Sequence, residues 1–285
     1  MKIDIKKIQA EKTIKELLEF SIINLDKPTG PTSFSVSHYV KNILNLRKTS
    51  HLGTLDPQVT GVLPVATNRA CRLNDYLMHR NKTYVGIMRL HADVEEKALK
   101  AEIEKFIGKI MQLPPVRSRV KREIREREVF SFKILEIDGK DILFETEVQA
   151  GTYIRKICDD MGKNLGGAHM LELRRTKAGM FEEKDSISLY NFEKAVEEYK
   201  QGNEQLLRKM LIPGEIISQI LPVVQLKPES LKQTLTGKPL FEKDIKEKPK
   251  SLKSPFALFL DDRFIGCYKL TDEGDIIARP EFILN

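Results

Sequence analysis

Two runs in which apolar and polar residues alternate, Phe130-Ser-Phe-Lys-Ile-Leu-Glu-Ile137 and Asp141–Ala150, meet at Asp138-Gly139. An every-second-residue pattern belongs to a strand with one face in a core, and two such runs around a short glycine turn read as an antiparallel hairpin. Lys82-Thr-Tyr-Val-Gly-Ile-Met-Arg-Leu90 alternates in the same way, and the short apolar stretches Ser21–Leu25 and Val62–Ala66 read as further strands. Between them lie segments of helical spacing: 11–20, Ser33–Leu46, Ala70–His79, 95–110, Ile154–Leu165 and Asn191–Met210. In Ser33–Leu46, Val36, Tyr39, Val40, Ile43 and Leu44 share one face, with Ser33 as the expected cap. Strands interleaved with helices, several joined by hairpin-like turns, predict an α+β fold around a mixed or antiparallel sheet.

A chain of 285 residues has room for a large domain and a small one. The composition changes near Ile212-Pro-Gly214, so residues 1–212 and 213–285 are expected to form separate units. In the second, Val223–Leu226, Phe256–Leu260, Phe264–Leu270 and Ile276–Ala278 are short strand candidates at spacings that suit a small β-barrel, with a Lys- and Pro-rich loop at Lys243–Lys253. No stretch is apolar enough to span a membrane, and Met1-Lys-Ile-Asp-Ile-Lys-Lys-Ile8 lacks a signal-peptide pattern, which leaves the cytoplasm as the expected location. Cys71, Cys158 and Cys267 are far apart and read as isolated thiols rather than a disulfide framework or a metal knuckle. The formal charge of +7 favours a polyanionic partner without requiring one.

The residues that bear on chemistry are few. Asp56 lies between Leu55 and Pro57, in His51-Leu-Gly-Thr-Leu-Asp-Pro-Gln-Val-Thr-Gly61. Pro57 biases Asp56 away from the helical region and Gly53 permits a sharp turn, a combination that would present a carboxylate at the tip of a rigid loop as nucleophile or base. An ordinary Asp-Pro turn is the plainer reading. Arg155, in Gly151-Thr-Tyr-Ile-Arg155, falls at a helix start, where it is either a surface residue or a bidentate partner for a buried carboxylate. Tyr84, on an alternating strand, is either packing or a ring on which a base can stack. The run Arg117–Arg127 holds six cations against two acids and reads equally well as a solvated face or a phosphate-binding one. The histidines show no metal-ligand spacing, and no phosphate-binding glycine loop or dinucleotide fingerprint occurs, which argues against metal, ATP or NAD chemistry.

In order and spacing, these segments resemble the TruB/dyskerin family of pseudouridine synthases from about Ile22 to Phe181. Ile23-Asn-Leu-Asp-Lys-Pro28 is similar to that family's opening strand and turn, Gly53–Gly61 to its catalytic motif, and Lys82-Thr-Tyr84 to the motif that bears its tyrosine. Gly151-Thr-Tyr-Ile-Arg155 and Gly167-Ala-His-Met-Leu-Glu-Leu-Arg-Arg175 complete the set. The resemblance is nearer to the archaeal and eukaryotic dyskerin-like branch. Leu113-Pro-Pro-Val-Arg-Ser-Arg-Val-Lys-Arg122 and Gly-Ala-His-Met are worded as in that branch, and the interval from Tyr84 to Arg155 lacks the long insertion of bacterial members. The C-terminal region resembles a PUA-type RNA-binding barrel through Leu235-Thr-Gly-Lys-Pro-Leu240 and Phe264-Ile-Gly-Cys-Tyr268, while Asp272–Leu284 is more similar to bacterial C-terminal domains.

The resemblance implies an isomerase that converts uridine to pseudouridine in tRNA, at the T-loop uridine (position 55), or in rRNA. It implies no cofactor and no metal. The partner is RNA, with an H/ACA guide RNA and its partner proteins in the dyskerin-like setting; a non-catalytic scaffold would not need the motif residues. Asp56 is the implied attacking carboxylate or base, Arg155 its partner, and Tyr84 the stacking platform and candidate acceptor of the C5 proton. Leu173 is implied as the apolar wall, Tyr153 as a packing neighbour of Arg155, and His51 as a residue that helps displace the base. Lys27 is implied at a phosphate, and Arg119, Lys121 and Arg122 on the RNA backbone.

Overall fold

The computed structural model describes residues 3–114, 121–247 and 252–285. Its first strands are β1 (Ser21–Lys27), β2 (Thr49–His51), β3 (Thr60–Thr67), β4 (Lys82–Leu90), β5 (Gly108–Gln112), β6 (Arg125–Asp138), β7 (Asp141–Val148) and β8 (Ala168–Ala178). Short strands follow as β9 (Phe181–Glu182), β10 (Ile187–Ser188) and β11 (Ile212–Pro213). These form one mixed sheet in the order β10-β1-β3-β8-β4-β7-β6-β5, with β2 added to β3, β9 to β8 and β11 to β1. The predicted hairpin is β6–β7: Asp138 pairs with Asp141, and Gly139 takes a φ of +56° that a side chain would resist. The α+β architecture is the one the periodicity predicts.

The sheet is covered on both faces where β1 and β3 lie at its heart, which explains their continuous apolar runs. Ile23, Leu25, Leu63 and Val65 face one core, with the helices Ser33–Ile43, Ile154–Gly162 and Leu189–Lys200 packed over it. Ile22, Val62 and Ala66 face a second core shared with Phe259, Phe264 and Phe282 of the C-terminal region. That region is a curled, five-stranded half-barrel of β12 (Val223–Gln225), β13 (Leu240–Phe241), β14 (Phe256–Leu260), β15 (Arg263–Glu273) and β16 (Ile276–Ile283), ordered β12-β14-β15-β16-β13. Phe20, at the entry to β1, stacks on Phe264 with ring centres 5.3 Å apart, so the half-barrel is packed directly against the large sheet.

Several elements differ from the periodicity. The helix expected over 95–110 stops at Glu104, and Gly108, at φ +95°, starts the edge strand β5. Asn191–Met210 is two helices, Leu189–Lys200 and Gln205–Met210, interrupted at Gly202 with φ +97°. Ala70–His79 is a 3-10 turn, Asn68–Leu73, that runs into a single helical turn, Asn74–Leu77. Residues 11–20 are broken by Thr13, whose capping box with Glu16 starts a new helix. No helix among the described residues is long and apolar enough to cross a membrane.

Candidate active site

The segment between β2 and β3 holds Asp56 at its tip, as its Gly and Pro content predicts. Leu52, Leu55 and Val59 are buried and act as its roots. The backbone between them is tied down at each turn: Leu52 N–H donates to the Pro64 carbonyl at 2.8 Å, and Val59 N–H to the Asp56 carbonyl at 3.0 Å. Ser33 does the closest work. Its buried hydroxyl accepts from Leu55 N–H at 2.7 Å and donates to the Leu55 carbonyl at 2.9 Å. The cap of the Ser33–Ile43 helix is therefore Thr32, which accepts from Ser35 N–H, and Ser33 is freed to clamp the residue before Asp56. Gly61 closes the loop, because a Cβ there would stand 2.2 Å from the Arg175 carbonyl oxygen and push β3 off β8.

Arg155 occupies the first turn of the Ile154–Gly162 helix, capped by Tyr153, whose backbone N–H and carbonyl both bond the Gln112 side chain at 3.0 and 3.2 Å. The guanidinium forms an ion pair with the Asp56 carboxylate. Both side chains are 55% exposed, so the carboxylate is not the buried one expected; it faces open space with its partner beside it. Tyr84 and Leu173, each 8% exposed, pack into the same apolar cluster as Leu55, Val59 and Ile154, the residues that flank the ion pair. Leu173 fits there because Gly86 has no side chain; a Cβ at Gly86 would lie 2.8 Å from Leu173 Cδ1. The ring and the leucyl side chain therefore lie in the apolar core next to Leu55 and Ile154, the residues that precede the carboxylate and its counter-ion at the surface.

His51 ends β2 and its Nε2 lies 3.0 Å from Thr54 Oγ1, within the Asp56 loop. It borders an open cleft of about 360 Å³ that also exposes Phe34, His38, Lys41, Arg47 and Lys48. Lys27 departs from its expected place at a phosphate. It is buried, and its three ammonium protons go to the carbonyls of Pro28 (2.8 Å), Pro31 (2.9 Å) and Pro57 (3.1 Å), leaving none for RNA. Burial lowers its pKa, and the bond to Pro57 makes it a second tether of the Asp56 loop. Arg119 lies outside the described residues. Lys121 and Arg122 are exposed, and Lys121 pairs with Glu123 at 2.9 Å.

Two further cations, Arg175 and Lys82, are buried near the Asp56 loop. Arg175 is 1% exposed; its Nε donates to the Val62 carbonyl at 2.7 Å and its Nη2 to the Gly53 carbonyl at 3.0 Å, so it ties together both sides of the Asp56 loop. Lys82, also buried, donates to the carbonyls of Met78 and Arg80, each at 2.5 Å. The strand period held the signal, since Lys82 must share a face with Tyr84, and Arg175 with Leu173. Burial, together with the nearby Arg175 charge, pushes the Lys82 ammonium down to about 8.

Lys82 thus holds its proton less tightly in the folded chain than in the unfolded one. Its penalty is fully present below pH ~8 and relieved as pH rises towards the ordinary lysine value, so stability should climb through that window by on the order of 3 kcal/mol. Urea midpoints followed from pH 7 to 10 should rise for the native chain relative to Lys82→Met. Parallel curves would show that Lys82 titrates normally. Among the described residues no cluster of three or more His, Cys, Asp or Glu side chains could hold a metal ion.

Residues 41–154 match the TruB family pseudouridylate synthase N-terminal domain, and 155–218 match the tRNA pseudouridylate synthase B C-terminal domain. The chain is 47% identical to the "Probable tRNA pseudouridine synthase B" of Methanopyrus kandleri over 219 residues, 76% of this chain but 65% of that protein. It is 42% identical to the protein of the same description from Methanocaldococcus jannaschii over 277 residues, 96% of this chain and 80% of that one. Among solved structures, a chain of a Cbf5-Nop10-Gar1 complex superposes with a TM-score of 0.86 at 38% identity, over 96% of this chain and 88% of the other. A chain of an H/ACA RNP bound to a substrate RNA containing 2'-deoxyuridine gives 0.84 at 35%, over 97% and 89%. With its motifs, its fold and its relatives in agreement over nearly the whole sequence, the chain belongs to the TruB family of pseudouridylate synthases, isomerases that act on RNA.

Proposed function

We propose that this chain isomerises uridine to pseudouridine in tRNA, at the T-loop uridine (position 55), with Asp56 as the reacting carboxylate. The observation that carries this reading is the exposed Asp56–Arg155 ion pair beside the apolar cluster that holds Tyr84 and Leu173. A carboxylate held by a guanidinium stays ionised, the form needed to attack the sugar or to take its C2′ proton. A uridine stacked within RNA cannot reach it unless flipped out, and Tyr84 would then be the ring on which the base stacks and Leu173 the apolar wall that holds it while it turns. The reaction conserves every atom of the substrate, so its balance requires no redox partner or donor group.

In this reading residues 1–212 carry the chemistry, with His51 helping to displace the base. Residues 213–285 grip RNA, with Arg119, Lys121 and Arg122 adding phosphate contacts; the work is cytoplasmic, where tRNA is. A second reading is favoured by the similarity to Cbf5 in complexes with Nop10 and Gar1, which extends through the half-barrel. There the chain would be the catalytic subunit of an H/ACA guide-RNA particle acting on rRNA. Incubating the purified chain with a tRNA transcript, alone and with guide RNA and the partner proteins, separates the two. Conversion of tRNA by the chain alone supports the first; dependence on guide RNA supports the second.

A further inference from the structure

We propose that Arg175 is a positioning residue for the isomerisation: from its buried place on β8 it fixes the Tyr84 hydroxyl and stabilises the negative charge that oxygen bears when it accepts the C5 proton of the uracil. The assignment rests on the isomerase reading above.

Three observations carry it. The pairing of β4 with β8 slips by one residue between Thr83 and Tyr84: Thr83 faces Lys177, but Tyr84 faces Arg175 rather than Thr176. Such a bulge re-aims side chains, and here it places an inward tyrosine directly opposite an inward arginine, whose pKa burial lowers and the Tyr84 phenol raises. Next, the guanidinium has no acidic partner. Neither Arg175 nor Lys82 forms an ion pair among the described residues; besides burial, Tyr84 acts on Arg175, and Arg175 acts on Lys82. Burying a cation is costly, and burying two side by side without a carboxylate is costlier still. Neutral carbonyls such as those of Val62 and Gly53 would be served as well by an uncharged amide, so the loop tether does not account for the charge. The phenol oxygen does, since a positive potential there is useful only if that oxygen becomes negative.

The chemistry supplies such a moment. When uridine is isomerised, the N1–C1′ bond breaks and a C5–C1′ bond forms, which leaves C5 with both its hydrogen and the sugar. N1 gains the Tyr84 hydroxyl proton, relayed by water, as its bond to the sugar breaks; the C5 hydrogen then departs as a proton to the phenolate so formed, its bonding pair restores the ring's conjugation, and Tyr84 ends as it began. An oxygen that receives the C5 proton does so with a lone pair while negatively charged, and Arg175 is the cation placed against it.

Two RNAs test the role. Release of tritium from 5-tritiated uridine requires loss of the C5 hydrogen. A 5-fluorouridine at the target has no such hydrogen, so detachment and rejoining through C5 can be followed without it. Arg175→Gln should slow tritium release at least ~100-fold while converting 5-fluorouridine RNA to the C-linked product within about threefold of the native rate, and Arg175→Lys should recover part of the loss. Tyr84→Phe should show the same split, and it keeps the proposal testable if Arg175→Gln does not fold. Equal loss on both RNAs in folded Arg175 variants would reduce Arg175 to a tether of the Asp56 loop and overturn the proposal, as would unchanged tritium release. A native chain inactive on both RNAs would instead refute the isomerase reading itself.

Discussion

Asp56→Asn should lower turnover by more than ~10⁴-fold while leaving the fold and RNA affinity unchanged. Asparagine has the same shape but neither the charge to attack a sugar carbon nor the basicity to take a proton from it. The loop does not rely on the carboxylate for its form: Ser33 holds Leu55, Gly30 N–H and Lys27 hold the Pro57 carbonyl, and Leu52 and Val59 are buried on either side. A half-exposed side chain that makes one surface ion pair also contributes little to stability, so thermal unfolding should move by no more than about 1 kcal/mol. Single-turnover tritium release and filter binding on the same preparations separate the two effects. Substantial turnover by Asp56→Asn would remove Asp56 from the chemistry.

Arg155→Ala should divide its effects the other way round from a buried pair. A buried aspartate that lost its partner would destabilise the chain by several kcal/mol. At 55% exposure on both sides, water screens the Asp56–Arg155 pair, and its contribution to folding is about 1 kcal/mol or less. The larger effect should appear once RNA covers the ion pair and excludes water, when the guanidinium alone orients and balances the reacting carboxylate. There the expected loss is ~10²- to 10³-fold in the single-turnover rate at saturating RNA, and Arg155→Lys should restore only part of it because an ammonium cannot reproduce the planar fork. Urea unfolding measured beside the kinetics checks both halves. A variant that melts early yet turns over normally would make Arg155 a structural residue.

Much of the fold could be read in the sequence because burial leaves a period. β4 and β7 alternate as their residues do, whereas bulges after Val129 and Ile134 break the period of β6 and leave Phe130 and Ile137 exposed; the sheet's mixed character follows from hairpins set among helices. Where backbone geometry overrides the period, the pattern misleads: the helix that starts at Glu96 stops at Glu104 and Gly108 opens a strand, and Gly202 separates two helices, although the apolar spacing runs on past both. At the site, the loop, its aspartate, the ring and the arginine were visible as motifs. Their exposure was not, since a spacing carries no information on what water reaches. Lys27 shows the limit most clearly. A lysine beside Pro28 and near a catalytic loop suggests phosphate, and only the fold brings three carbonyls to its ammonium. Ser33 was assigned to the wrong task by one residue, because Thr32 and Ser33 are both suitable caps and the choice depends on Leu55, 22 positions away. Arg175 was passed over because an arginine on a strand is usually solvated, and the bulge that turns Tyr84 to face it has no signature in the residues themselves.

The central claim is that this chain moves a uracil from its N1 to its C5 attachment, using Asp56. The most direct measurement is tritium release from a 5-tritiated tRNA transcript by the purified native chain and by Asp56→Asn, with the position of the product mapped by carbodiimide-blocked reverse transcription. Guide RNA and the partner proteins are added in a parallel arm. The account predicts stoichiometric release by the native chain with a single new pseudouridine in the T-loop, or at the guided uridine in the parallel arm, and none by Asp56→Asn. RNA bound by the native chain without release in either arm, or release that persists in Asp56→Asn, would contradict it.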